Sequence, residues 1–203
     1  MTSSFTDGAF FILGGHVMSN TKLPILETER LILRAVSVGD VDDMFEYAST
    51  EEVTQYTTFK RHITKEDTSL AIQEVFLKRP VKGWPEAFAI VLKETNKMIG
   101  TCDFWPIAKN DVFEMGYALS PKYWNQGIVT EAGECVLKYA FEEYGVRRME
   151  LRHIDQNIGS KKVGQKLGFI HEGTKRKFIK VKSEYRDLEY YGMLKEEYNE
   201  RTR

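Results

Sequence analysis

The residues best suited by type to do chemistry lie in the run Asn125-Gln126-Gly127-Ile128-Val129-Thr130. This run opens a helix, so backbone N–H groups in its first turn lack intrahelical acceptors. They point the same way as the positive end of the helix dipole. Such donors form a seat for phosphate. Gly127 lets a bulky anion approach the backbone, and Thr130 adds a hydroxyl donor. The same residues would also make an ordinary strand-to-helix turn whose glycine relieves backbone strain. The loop by itself leaves both readings open.

Two elements must position that loop. Before it, Val112, Phe113, Met115, Tyr117 and Leu119 predict a strand from Val112 to Leu119, closed by Pro121. After it, Val129, Ala132, Gly133, Val136, Leu137, Ala140, Phe141 and Tyr144 recur at the three-four spacing of one helix face. Glu131, Glu134, Lys138, Glu142 and Glu143 fill the other faces. That is an amphipathic helix packed on a sheet.

The stretch from Glu114 to Ala132, E-M-G-Y-A-L-S-P-K-Y-W-N-Q-G-I-V-T-E-A, resembles the acyl-CoA-binding signature of the GNAT superfamily of N-acetyltransferases. More narrowly it is similar to the RimJ/RimL type, the ribosomal-protein N-terminal acetyltransferases. The superfamily pattern Gln/Arg-x-x-Gly-x-Gly/Ala falls on Trp124, Gly127 and Val129. Trp124 is usual for the subgroup, whereas Val129 is larger than the pattern's small residue and is expected to crowd the pyrophosphate. Three further stretches resemble the family in the same order. They are L-E-T-E-R-L-I-L-R from Leu26, N-x-x-S-x-x-V-x-x-K-L-G-F from Asn157, and E-G-T-x-R followed by Y-R-D-x-x-Y-Y-G-M-L up to Leu194.

The resemblance implies an α/β (α+β) fold, the GNAT acyl-CoA N-acyltransferase fold. Its mixed, mostly antiparallel sheet has a central parallel strand pair and flanking helices. That pair splays apart to admit the pantetheine arm. The implied reaction moves an acetyl group from acetyl-CoA, a co-substrate, to a primary amine. The family points first to a protein or peptide N-terminus. A small amine (polyamine, aminoglycoside or amino-acid-like) is the rival acceptor, and a catalytically degenerate CoA-binding module is the rival class, since fold does not fix function.

Carried over residue by residue, the resemblance assigns coenzyme binding to Gln126, Gly127, Ile128, Val129 and Thr130. Backbone near Leu119 and the side chain of Asn157 hold the pantetheine arm, and Lys162 meets a phosphate at the nucleotide end. Ser160 stands beside the thioester sulfur as proton donor; its competing role is a hydroxyl bonded back to its own helix turn. Glu114, on the central strand, is the expected base, its pKa raised by an apolar strand end. The alternative is a structural carboxylate paired with a neighbouring Arg or Lys. Two family features depart. The superfamily's tyrosine acid falls at Gly164, and the glutamate of RimL-type enzymes falls near Ile179. His153 and His171 are weaker candidate bases or else hydrogen-bonded strand histidines.

Composition narrows the class. With 203 residues, 42% hydrophobic and 29% charged, the chain is a soluble globular protein of one-domain size. A formal net charge of −1 gives no basic field for nucleic acid or anionic membrane. No apolar run is long enough to span a bilayer. There is no zinc signature, and Cys102 and Cys135, without CxxC spacing, read as packing residues of a reducing compartment. The expected location is the cytoplasm, and a homodimer is a family expectation. Residues 1–22 read as a leader of uncertain role, with Ala9 to Leu13 as an extra strand or docking arm and Met18 as a second plausible start. Residues 23–203 read as the single catalytic domain.

The remaining elements follow from pattern. Leu31 to Val36 is a strand, and Gly39-Asp40 caps a helix with Val41, Met44, Phe45 and Ala48 on its apolar face. Helices follow over Thr50 to Tyr56 and from Thr64 to Lys78. Strands over Ala87 to Leu92 and Met98 to Trp105 are joined by a hairpin turn, and Lys109-Asn110-Asp111 leads into the central strand. Arg148 to Ile154, reached through the long helix, should lie parallel to Val112–Leu119. A helix capped by Asn157 and closed by Gly168 precedes a final hairpin around Val181-Lys182-Ser183. The acceptor wall is expected from Glu51, Glu52, Gln55, Tyr56, Phe59, Lys60, Arg61 and His62, with Asp103, Phe104 and Trp105. Glu51 and Glu52 would attract a cationic amine or else be exposed helix-start residues. Lys175-Arg176-Lys177 reads as a solvated strand face.

Overall fold

A computed structural model describes residues 21–57, 59–108 and 111–202, together with the backbone of residues 12–13 and 16–17. Strands β1 (Ile12–Leu13) and β2 (His16–Val17) pair as a small antiparallel hairpin. The rest of the expected leader up to Asn20, and the Lys109-Asn110 turn, lie outside the described residues.

The sheet strands are β3 (Leu26–Glu27), β4 (Leu31–Ala35), β5 (Phe88–Leu92), β6 (Lys97–Ala108), β7 (Val112–Leu119), β8 (Arg148–Ile154), β9 (Ile170–Val181) and β10 (Glu184–Leu194). They form one sheet in the order β3-β4-β5-β6-β7-β8-β10-β9, antiparallel throughout except for β7 with β8. The helices are α1 (Val41–Ala48), α2 (Glu51–Thr54), α3 (Lys65–Ala71), α4 (Ile128–Lys138), α5 (Ile158–Lys166) and α6 (Lys195–Arg201). No helix among the described residues is long and apolar enough to cross a membrane.

The two sheet faces bury different cores. On the α4 and α5 face, Phe104, Phe113, Met115, Met149 and Leu151 meet Ala132, Val136, Leu137 and Leu167. On the opposite face, Ala89, Val91 and Met98 meet Met44, Ala48 and Ile72 from the α1 and α3 side. Full burial of each large apolar side chain contributes about 2 kcal/mol. The long helix takes its predicted face, and beyond Lys138 it widens into a π turn over Tyr139–Tyr144 that ends at Gly145.

Where the elements differ from expectation, the causes are local. β6 runs through Pro106 to Ala108 because the pairing with β7 shifts register there, and a bulge tolerates the missing N–H. Tyr47, rather than Phe45, joins Met44 and Ala48 on the fully buried face of α1. α6 was not expected from the pattern. It packs through Tyr198, which is stacked on Phe141 at 5.0 Å.

The expected parallel pair forms, and it forms over three positions only: Val112↔Arg148, Phe113↔Met149 and Glu114↔Glu150. Beyond them β7 stays on β6 while β8 stays on β10. The sheet therefore opens between Met115–Leu119 and Leu151–Ile154. Strand backbone on the two sides of this gap is left without a ladder partner, and such groups must find hydrogen bonds elsewhere.

Candidate active site

A cavity of about 610 Å³ passes through this gap. Its lining includes Glu114, Gly116, Tyr117, Arg152, Asn157 and Ser160 from the parting strands and α5. The rest of the wall comes from the other face, notably Tyr47, Tyr56, Phe59 and His62 with Asp103 and Trp105.

On the α4 side, Gly127 caps the helix in the left-handed region, φ +77°, and Asn125 is also left-handed at +59°. No side chain caps this helix end, so its first amides remain available to a ligand. Ile128 and Val129 turn their side chains into the core at 2% and 9% exposure. The expected crowding by Val129 therefore does not arise, and both residues present backbone only. The Gln126 side chain donates back to the Lys122 carbonyl at 3.0 Å, so it too faces the site through its backbone. Thr130 is half-buried on the first turn, and Lys162 is exposed on α5.

The first turn of α4 is tied to the Leu26–Arg34 motif. Thr28 Oγ1 donates to Glu131 at 2.5 Å, Arg30 N at 3.0 Å and Arg30 Nε at 2.7 Å. Arg30 Nη1 also reaches the Gln126 carbonyl at 3.1 Å. Glu131 suits the helix dipole but would repel a phosphate nearby; the Arg30 guanidinium cancels that charge. Trp124 closes the loop from the other end, its indole donating to the Leu119 carbonyl at 2.8 Å. Leu119 is thus buried and its carbonyl already engaged, and the unpaired strand backbone lies just before it.

Asn157 caps α5 as expected, its Oδ1 accepting from Ser160 N at 3.0 Å. The Ser160 hydroxyl does not bond back to its own turn. It lies 2.6 Å from the Tyr117 hydroxyl, both facing the gap. Burial raises the Tyr117 phenol well above its ordinary pKa, although the bond to Ser160 opposes this, so Tyr117 stays protonated. Sequence reasoning read Tyr117 only as a strand-forming aromatic. The available signal was its position on the strand crossing from Glu114 towards the loop.

Glu114 is buried at the apex of the gap, and the Arg152 guanidinium grips both carboxylate oxygens, Nε donating at 2.9 Å and Nη2 to the other oxygen. The alternative of a paired carboxylate is therefore realised in the geometry, though each oxygen retains a second lone pair. Asp103 is likewise held by Arg79 in the cavity wall. Burial pushes the Asp103 carboxyl above its usual range, with the Arg79 charge and hydrogen bond opposing. Of the two readings of Glu51 and Glu52, the structure shows exposed residues at the start of α2, outside this cavity. Glu51 pairs with Lys182 at 2.9 Å outside it, and Glu52 is exposed. Phe104 points to the core instead of the acceptor wall because alternate strand residues face opposite sides.

His153 lines the cavity at 5% exposure, stacked on Tyr191 at 5.2 Å. Burial lowers its pKa, with the 2.8 Å bond from Nδ1 to the Ile154 carbonyl opposing, and Nε2 has no hydrogen-bond partner among the described residues. His171 instead pairs with Glu189 at 2.6 Å on the exposed hairpin. Position 179, where the RimL-type glutamate falls, does line the cavity, and Ile179 makes it apolar. Gly164 packs where a Cβ would stand 2.8 Å from the Leu151 side chain, so a tyrosine there would have to displace that side chain.

The acetyltransferase (GNAT) domain profile matches residues 30–170. An uncharacterized N-acetyltransferase, p20 of Bacillus licheniformis, is 34% identical over 177 residues, covering 85% of this chain and 97% of that protein. Among solved structures, a GNAT-family acetyltransferase from Bacillus anthracis superimposes with a TM-score of 0.76 at 28% identity, covering 85% of this chain and 99% of that one. RimL, a ribosomal alpha-N-protein acetyltransferase solved with coenzyme A, gives a TM-score of 0.76 at 21% identity, covering 84% and 98%, a likeness of fold. With its split parallel pair and uncapped α4 amides in place, this chain belongs to the GNAT family of N-acetyltransferases, enzymes that draw their acetyl group from acetyl-CoA.

Proposed function

We propose that this chain acetylates the N-terminal amine of a protein or peptide. The observation that carries the reading is the gap between β7 and β8, which opens the sheet from the α4 and α5 face to the cavity walled by Tyr56, Phe59 and Trp105. Acetyl-CoA supplies an activated acyl carbon and a thiolate leaving group. The backbone of Gly127 to Thr130 holds the pyrophosphate, Asn157 and the unpaired β7 backbone hold the pantetheine arm, and Lys162 meets a nucleotide phosphate. Threading the gap aligns the thioester with an amine entering from the opposite face.

The ammonium acceptor sheds two protons. One passes to Glu114 through water; Arg152 keeps that carboxylate oriented. The other ends on the departing sulfur by way of Ser160. The Tyr117 phenol stays protonated, and in the arrangement in which it donates to Ser160 Oγ the serine O–H is free to point into the gap.

Charge supports this acceptor class. Both acids lining the cavity, Asp103 and Glu114, are neutralised by Arg79 and Arg152. A polyamine or aminoglycoside would bring several positive charges to a chamber with no spare carboxylate among its described residues. A chain end with one amine and an apolar first side chain fits the aromatic wall better.

The test is mass spectrometry after incubation with acetyl-CoA and a panel of short peptides, polyamines and aminoglycosides, with coenzyme binding followed by thermal shift. Acetylated peptides support the reading, and product on polyamines alone would overturn the acceptor class. Coenzyme binding with no product on any amine would favour a non-catalytic CoA-binding protein.

A further inference from the structure

A second recess of about 500 Å³ adjoins the acceptor cavity and shares Thr57, Phe59 and Val181 with it. Its charged lining is Lys60, Arg61, Lys180 and Lys182 against a single acid, Glu51. Glu51 is taken by Lys182 at 2.9 Å. Among the described residues Lys60, Arg61 and Lys180 have no carboxylate within ion-pair distance. Most cations of this chain are balanced, since the net charge is −1, so four cations sharing one acid in one recess are a local excess.

The same sign continues along the cavity mouth. Lys175 rests its ammonium 4.4 Å from the Tyr190 ring centroid and 4.8 Å from that of Phe178, without an acid partner among the described residues. Phe178 lines the cavity and is 57% exposed, while Phe59, 39% exposed, stands between cavity and recess. An extended chain whose amine reaches the gap beside Glu114 would pass these rings and then lie over the cations.

Resting on the peptide N-terminus reading above, we infer that the preferred acceptor is an acidic N-terminal segment, with its amine in the neutralised cavity and carboxylates of its following residues in the Lys60–Arg61–Lys180 recess. Such charge complementarity discriminates between partners more than it adds affinity.

Three synthetic hexapeptides with a common Ala-Phe start test it, continuing with Asp and Glu, with Gln, or with Lys. Acetylation is followed at saturating acetyl-CoA. Binding is followed in parallel by anisotropy of the peptides labelled at their C-termini, with CoA present. The expected order is acidic, neutral, basic, with about tenfold or more in kcat/KM between the extremes, carried by KM and shrinking as salt is raised. In the triple variant Lys60→Gln, Arg61→Gln, Lys180→Gln the three peptides converge.

Acetylation of all three peptides at similar KM would overturn this inference and leave the acetyltransferase reading standing. Charge-ordered binding without acetylation would sustain the recess and overturn the catalytic reading. If no peptide is bound or acetylated, both fail. A raised KM for acetyl-CoA in the triple variant, with peptide order unchanged, would assign the cations to the coenzyme and overturn the inference.

Discussion

The Tyr117 and Ser160 hydroxyls sit 2.6 Å apart across the gap, joining the central strand to α5 at the place where the two would otherwise be separated. If Tyr117 orients the serine proton, the two act as a unit and their removal is not additive. Ser160→Ala is expected to lower kcat by about 10²-fold, in the range of general acid catalysis. Tyr117→Phe should lower it by about tenfold, and the double variant should match Ser160→Ala alone. Steady-state kinetics on all three checks this, with KM for acetyl-CoA held within about twofold. Full additivity would dissolve the pair.

Glu131 governs the docking of α4. Burial would raise its carboxyl pKa from the ordinary 4.5, but the bonds from Thr28 and Arg30 outweigh this and hold it lower. With the folded pKa below the unfolded one, the stabilisation is present above about pH 4.5 and is lost as pH falls through the folded value. Glu131→Gln should cost about 1 kcal/mol at neutral pH, because Arg30 is partly solvent-screened. The variant's stability should fall less steeply below pH 4.5 than the parent's in urea titrations across pH. Weaker CoA binding should accompany it, since Arg30 also fixes the Gln126 carbonyl.

The Arg79–Asp103 pair is 5% and 9% exposed, so each charge depends on the other. Arg79→Met strands a buried carboxylate and should cost about 3–5 kcal/mol at pH 7. The added change Asp103→Leu should recover most of the loss. The lone Asp103 of the single variant, its folded pKa raised further, gains a proton as pH falls, so the penalty should shrink in mild acid. Denaturant midpoints at pH 7 and pH 5 decide it, and an equal loss at both would contradict the pairing.

Gly116 leaves room for an indole. A Cβ there would stand 2.5 Å from the far edge of Trp105, which must then move into the acceptor cavity. Gly116→Ala should raise KM for the acceptor about tenfold and leave KM for acetyl-CoA within about twofold, because only one side of the gap is altered. Parallel measurement of both KM values tests this. A loss confined to acetyl-CoA would contradict the division of the site by face.

Much of this arrangement is legible in the chain itself. The strands Val112–Leu119 and Arg148–Ile154 have the expected boundaries: β-branched and aromatic residues lead up to Pro121 in one, and Met149, Leu151 and His153 alternate into the core up to a turn in the other. Asn157 and Gly168 mark the ends of α5 because cap chemistry is local. Pro106 misleads because a proline in a strand is a stop unless a bulge accommodates it, and a bulge belongs to the pairing of two strands.

The sequence by itself determined most of the elements, their order and the glycine turn that opens α4, since periodicity, caps and Gly127 act over a few residues. Only the tertiary structure decided how far β7 and β8 stay together, which side chains share the gap, and which acids are neutralised. Glu114 meets Arg152 across 38 positions and Asp103 meets Arg79 across 24, with Tyr117 reaching Ser160 across 43. The physical reason is that a charge is quenched, or a hydroxyl oriented, by whatever the packed sheet brings within about 3 Å, and chain spacing carries no record of that distance.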